Sequence, residues 1–289
     1  MLVTVLDVVI GGVLLGGIYA LIAVGLSLQY GVARVLNVAH GEYIMLGAFI
    51  TWALYSGFRV SPLLCLALCG PLIFVLGFVL HKTIYRRLRI SSGSPEAFEG
   101  TSMLASFGLL YVIQNVAILI WGAEVKGYSY MARPVSIGGA VFPANRLMTL
   151  FFALGIGLSF YLFLTHTRLG KAIRAAAQDP TSAALMGIDI NQVLALCFGL
   201  GALLAGAAGS LLSMCFSIDA TMGFGYTVIA TIVVALGGLG SIPGSFICGF
   251  LLGIIGTIVT YLQPGLAMVV HYLLFMVLLL VKPTGMLGR

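Results

Sequence analysis

Seven stretches of this chain are apolar for long enough to cross, or nearly cross, the ~30 Å hydrocarbon core of a bilayer. They lie at about 8 to 29, 62 to 80, 103 to 122, 147 to 165, 193 to 215, 243 to 262 and 266 to 281. Two more, at about 38 to 57 and 225 to 239, are shorter or interrupted. A soluble globule carries about a quarter of its residues charged, whereas this chain has 8% charged and 61% hydrophobic residues. The expected fold is an all-α polytopic membrane protein of roughly eight or nine transmembrane helices, some broken or re-entrant. It is read as a single transmembrane domain over residues 1–289.

The basic residues give the orientation. A net charge of +6 is compatible with nucleic-acid binding, but the Lys and Arg sit in short clusters at the ends of apolar runs, the pattern of membrane orientation. No nucleic-acid motif accompanies them. Lys82, Arg86, Arg87 and Arg89 follow the second run, Arg168, Lys171 and Arg174 form a central cluster, and Lys282 and Arg289 close the chain. All three clusters are expected on the cytoplasmic side. That is consistent only if the 225 to 239 run is a true crossing. The 38 to 57 run leaves two alternatives: if it crosses, the N-terminus is outside, and if it is re-entrant, inside. The first run lacks the basic flank and cleavage site of a secretory signal, so it is expected to stay as a span.

Between the spans, residues 91 to 100, SSGSPEAFEG, read as a mobile cytoplasmic loop. On the opposite side, about 123–146, Pro134 to Ile137 and Ala140 to Pro143 flank Gly138-Gly139 as a short hairpin. Tyr128 and Tyr130 beside it read as interfacial anchors or contacts for an external partner. Cys65, Cys69, Cys197, Cys215 and Cys248 form no CxxC pair, and nearly all lie in apolar runs, so no disulfide framework or metal site is expected.

RLGKAIRAAAQDPTSAALMGID, residues 168 to 189, is the one long charged helical segment, set between two strong spans. Asp179 followed by Pro180 is a helix start, because the carboxylate accepts from orphan N–H groups while proline fits the first helical position. Gly187 supplies the stop. Two turns fall far below the ~12 to 15 residues at which a lone helix becomes marginal in water, so this one must dock. Ala183, Ala184, Leu185, Met186 and Ile188 form an apolar knob. It fits either the lipid surface or a soluble cytoplasmic partner.

Glycine, with 38 copies, recurs at spacings such as Gly12/Gly16 and Gly249/Gly253 that let helix backbones approach closely in lipid. Packing does not account for Asn37-Val-Ala-His40-Gly41-Glu42 or for Gly237-Gly-Leu-Gly240-Ser-Ile-Pro243-Gly244. Both look like helices broken near a surface or within the bilayer, which makes Asn37, His40, Gly41, Glu42, Gly240, Pro243 and Gly244 candidates for a translocation path or gate. Asn37 is expected to cap a helix starting at Val38, with Glu42 favoured in its first turns. His40 and Glu42, two apart, point to different faces. Arg34 is close enough in sequence to neutralise Glu42, so structural pairing stands beside a direct role in translocation. No HExxH, P-loop or GxSxG is present, so neither hydrolysis nor ATP binding is expected here, and no catalytic residue or cofactor is assigned.

NVAHGEYIMLGAF (37 to 49), THTRLGKAIRAAAQDPTSAALMGIDINQV (165 to 193) and ALGGLGSIPGSFICGFLLGIIGTI (235 to 258) resemble, in this order and spacing, the permeases of branched-chain amino acid ABC importers, specifically the LivH-type subunit. The likeness extends to the closing VLLLVKPTGMLGR. It implies a bacterial inner-membrane assembly of two related permeases, two cytoplasmic ATPases and a periplasmic substrate-binding protein. It also implies that 167–191 is the coupling segment seating a helix in the ATPase, with Asp179, Pro180, Ala183, Ala184, Gly187 and Ile188 at the matching positions. Similar permeases import urea, short amides and other small carboxylates or aromatics, so the substrate stays open. The rival class is a self-sufficient channel or secondary carrier, which would be expected to bury several ionisable groups at the midplane.

Overall fold

A computed structural model describes residues 2–137, 140–282 and 284–287. Along the chain come α1 (Leu2–Ala33), α2 (His40–Phe58) and α3 (Pro62–Leu80), which continues through a π turn (His81–Tyr85) into α4 (Arg86–Ser91). Then follow α5 (Pro95–Trp121), strands β1 (Pro134–Ile137) and β2 (Ala140–Pro143), and α6 (Ala144–His166). Next are α7 (Arg168–Gln178), α8 (Pro180–Leu185), α9 (Ile190–Ser213), α10 (Met222–Gly237), α11 (Ile242–Leu262) and α12 (Ala267–Val281). Among the described residues, seven of the helical segments are long and apolar enough to span by themselves, and α10 is a shorter apolar helix.

The centre is built on glycine. α1 lies antiparallel to α11 because a Cβ at Gly16 would stand 2.7 Å from the Phe250 Cα, one at Gly12 2.6 Å from the Ile254 Cα, and one at Gly253 would strike the backbone of Gly16. Where lipid supplies no hydrophobic drive between helices, such close backbone packing is what holds spans together. α9 packs the same way on α2, through Gly47 against Gly206 and Gly209 against Ile44, and is the most enclosed helix. α5, α6 and α12 turn most of their surface outward.

The two faces of the bundle follow from these pairings. Gly31, near the end of α1, packs on Gly240, just before α11, while Gln29 bonds to Phe198 in the first half of α9. The ends of α1, α3–α4, α6 and α10 therefore gather on one face with α7 and α8, and this face carries Lys82, Arg86, Arg87, Arg89, Arg168, Lys171 and Arg174. The tail joins it: the Met286 N–H donates to the Leu236 carbonyl at 2.7 Å, closing the end of α10. On the other face, the Tyr55 hydroxyl near the end of α2 donates to the Ser129 carbonyl at 3.3 Å. Residues 34–58 thus cross, and the start of α1 lies on the hairpin face. α10 crosses too, as the positive clusters require.

Two expectations change. Residues 91–100 are not a loop: Ser94 accepts from the Ala97 N–H at 3.2 Å, Pro95 takes the first helical position, and α5 begins there. Tyr128 and Tyr130 turn inward instead of outward to lipid. Tyr128 shares a hydrogen bond with Ser213 at 2.9 Å and Tyr130 one with Ser61 at 3.0 Å. These tie the loop to α9 and α3, and burial raises the Tyr128 phenol. β1 and β2 pair antiparallel with Pro134 opposite Pro143, as the hairpin reading requires. Its turn, Gly138-Gly139, lies outside the described residues.

Candidate functional site

After α1 the chain turns back into the bundle as a non-helical stretch, Arg34–Ala39, ending in a turn at Val38–Ala39, and restarts as a helix at His40. The His40 Nε2 lies 3.1 Å from the Ile22 carbonyl, and Ile22 is three turns, about 16 Å, short of the end of α1. α2 therefore begins deep in the bundle. Several backbone groups exposed by the break find side chains from other helices, as irregular backbone at such depth requires. The Val38 N–H donates to the Ser106 hydroxyl (3.0 Å) and the Gly41 N–H to the Thr227 hydroxyl (2.8 Å). The Thr227 hydroxyl in turn donates to the Val38 carbonyl (3.0 Å).

Asn37 does not cap a helix at Val38. Its Oδ1 accepts from the Ala39 N–H at 3.1 Å in a local turn and from the Tyr85 hydroxyl at 3.4 Å, and the helix starts two residues later. A side-chain cap is unnecessary because Ser106 and Thr227 already satisfy the free N–H groups of Val38 and Gly41. The Asn37 Nδ2 donates to Gln29 (3.2 Å), whose own amide donates to the Phe198 carbonyl (3.0 Å). A buried polar chain thus joins α9, α1, the break and the π turn.

His40 and Glu42 point apart, as their spacing predicts: His40 toward α1, Glu42 toward the first turn of α10. Glu42 is 1% exposed and its Oε2 has no hydrogen-bond partner. The expected pairing with Arg34 is not made. The one ion pair among the described residues is Lys126–Glu124, while Arg34 stands exposed at the end of α1 over the Tyr30 ring. A long cation at the surface gains more from water than from following the chain inward. Beside the break, a cavity of about 220 Å³ between α5, α10 and α12 is lined by Asn37, Val38, Thr227 and Thr231 among apolar side chains.

Gly240, Pro243 and Gly244 lie elsewhere, in the tight α10–α11 turn on the charged face. Gly240 has φ +81° and abuts Gly31; Gly244 abuts Gly237; Ser241 caps α11, with Pro243 in its first turn. Close packing accounts for the two glycines, and the start of α11 for Pro243.

The second candidate is α8. The Asp179 Oδ1 accepts from the Thr181 N–H at 2.9 Å and its Oδ2 from the Ser182 hydroxyl, and these bonds, Ser182 foremost, hold its carboxyl below the usual range. Pro180 opens the helix, and Gly187 at φ +83° follows its end. Ala183 is buried and Ile188 half-buried, so these two anchor the helix instead of belonging to the knob. Leu185 and Met186 are each 84% exposed, next to exposed Ala184. Between α7 and α8 runs a groove of about 520 Å³ lined by Arg168, Lys171, Gln178, Asp179 and Met186. α7 buries Gly170, Ile173 and Ala176, which seats the pair on the bundle.

Gln29, Ser106, Gly223 and Thr227 escaped the sequence reading. Each is a polar or small residue at or inside an apolar run, and that was the signal available.

The family described as the permease component of branched-chain amino acid transport systems matches residues 8–280. The chain is 31% identical to the high-affinity branched-chain amino acid transport permease LivH of Salmonella typhimurium, over 96% of this chain and 94% of that one. It is also 31% identical to BraD of Pseudomonas aeruginosa, over 98% and 96%. The ribose import permease RbsC of Escherichia coli is 27% identical over 80% of this chain and 72% of its own length. No solved structure matches.

Proposed function

Since the chain belongs to the branched-chain amino acid transport permease family, we propose that it is the membrane-spanning subunit of an ATP-driven importer for branched-chain or similar amino acids. It provides the substrate path and docks the ATPase. The observation that carries the docking is α8: a capped helix too short to stand alone, presenting Leu185 and Met186 to solvent on the positively charged face. By the positive-inside rule that face is cytoplasmic. The hairpin face is then periplasmic, in a bacterial inner membrane, and meets the substrate-binding protein.

Asp179, Pro180 and Gly187 shape the coupling helix, Ala183 and Ile188 seat it, and Ala184, Leu185 and Met186 enter the ATPase. The path runs along the break at Asn37–Glu42. Hydrolysis belongs to a pair of partner ATPases and not to this chain, and a second related permease completes the membrane part. Leucine uptake into vesicles tests this. Vesicles holding the full complex import with ATP, and vesicles holding this chain alone import nothing. Uptake by the chain alone would make it a self-sufficient carrier or channel.

A further inference from the structure

We propose that Tyr85 and Phe198 close the cytoplasmic end of the break at 37–42, and that movement of α8 parts them to let substrate out. This rests on reading the break as the path and the charged face as cytoplasmic. His81 and Tyr85, both from the π turn after α3, stack with Phe198 of α9 in a cluster whose members are at most 4% exposed. The Tyr85 and Phe198 ring centres lie 4.7 Å apart and those of His81 and Phe198 5.7 Å apart. Along α1, Gln29, which bonds to Phe198, is about 6 Å from the charged end, whereas Ile22, which meets His40, is about 16 Å from it. The cluster therefore lies between the restart of the chain at α2 and the cytoplasm.

Hydrogen bonds and one ring stack close a circuit around this end. The Tyr85 hydroxyl donates to the Asn37 Oδ1 (3.4 Å), the Asn37 Nδ2 to the Gln29 Oε1 (3.2 Å) and the Gln29 Nε2 to the Phe198 carbonyl (3.0 Å), and the Phe198 ring returns to Tyr85. Gln29 and Asn37 are almost wholly buried, where apolar side chains would pack at less cost. What the amides add is a single arrangement, because Gln29 is satisfied only while Asn37 and Phe198 hold their places. The π turn is the element suited to shift: its wide hydrogen bond, from the Arg86 N–H to the His81 carbonyl, is a rare form that recurs at functional sites. The link to the ATPase is short. α9 begins at Ile190, directly after α8 and its glycine stop, with the Asp189 Oδ1 accepting from the Gln192 N–H at 3.1 Å, and Phe198 follows about two turns on. A tilt of α8 that carries the first turns of α9 moves Phe198 off Tyr85, and the circuit opens as a unit.

The test uses the complete importer, with ATPases, second permease and binding protein, in membrane vesicles. It places Val38→Cys, within the break, in an otherwise cysteine-free chain and reads the reaction of that cysteine with a membrane-impermeant methanethiosulfonate. In inside-out vesicles without ATP, adding Tyr85→Ala should speed the reaction at least about ten-fold, the population shift that losing one stacked aromatic pair allows. Tyr85→Phe keeps the ring and should leave the reaction slow. In right-side-out vesicles Tyr85→Ala should gain nothing, whereas a general loosening of the fold would speed both sides alike. ATP should speed the reaction behind an intact cluster, and should not do so once Leu185 and Met186 are replaced by serine. The proposal is overturned if Tyr85→Ala and Phe198→Ala both react within about two-fold of the intact cluster, or if they react equally from both sides. It is overturned equally if neither assembles, since the cluster then serves the fold. Leucine import that full modification of the cysteine leaves unslowed would remove the break as the path, and a wild-type complex that imports nothing would remove the importer reading itself.

Discussion

Replacing Leu185 and Met186 together with serine removes the apolar tip of α8 and nothing else. Both side chains are 84% exposed, and the fixed points of the helix, the Asp179 cap and the buried Ala183, are untouched. Burying a leucine or methionine side chain contributes about 1.5–3 kcal/mol. Taking the fraction now exposed, the pair contributes about 2.5–5 kcal/mol to any interface that covers it fully, roughly two to three and a half orders of magnitude in affinity. The helix itself loses only a few tenths of a kcal/mol in propensity. The double variant should therefore insert, purify and melt like wild type, yet release the ATPase during size-exclusion chromatography and lose ATP-driven leucine uptake. Ala184→Asp should act more sharply, because an unpaired charge enters a desolvated contact at a cost of several kcal/mol. If instead the helix rests on lipid, the ATPase stays bound and uptake persists. Undiminished ATPase binding by the double variant would refute the coupling role.

Gly47→Ala should lower the melting temperature in detergent by several degrees and reduce yield, because its Cβ would strike the Gly206 carbonyl, backbone that cannot rotate away; overpacking costs about 1–3 kcal/mol. For Asp179 the sign follows from its lowered pKa. The cap is complete at neutral pH and is lost only as pH falls below the usual carboxylate range, so ATPase binding should be flat from pH 6 to 8 in wild type and weakened throughout in Asp179→Ala. Ser136→Cys, at an exposed position of β1, should react in intact cells with a membrane-impermeant maleimide when made on a Cys215→Ser background, since Cys215 is partly exposed whereas Cys65, Cys69, Cys197 and Cys248 are buried; labelling only after lysis would reverse the orientation. Deleting residues 284–289 should destabilise the protein by about 1–3 kcal/mol, because the Leu236 and Gly237 carbonyls lose the Met286 and Leu287 N–H groups, and an unchanged melt would count against the tail as a cap.

The spans, the hairpin strands and the short helix α8 were legible in the chain because each is dictated locally. Hydropathy sets the first, glycines between short apolar runs the second, and a carboxylate–proline start with a glycine stop the third. The small-residue pairs also announced close packing, though not that Gly16 would meet Gly253 or Gly47 meet Gly206. What only the tertiary structure decided is the depth at which things happen: that α2 begins opposite Ile22, that residues 34–58 cross, and that Glu42 stands without Arg34. The break at Asn37–Gly41 is held by Ser106 and Thr227, the latter 186 residues from Gly41. A hydropathy window sees one span at a time, whereas a buried hydrogen bond forms wherever packing brings donor and acceptor together. The interruption was therefore visible in the sequence, and only the packing of α1, α5, α9 and α10 around it made it a stable polar site.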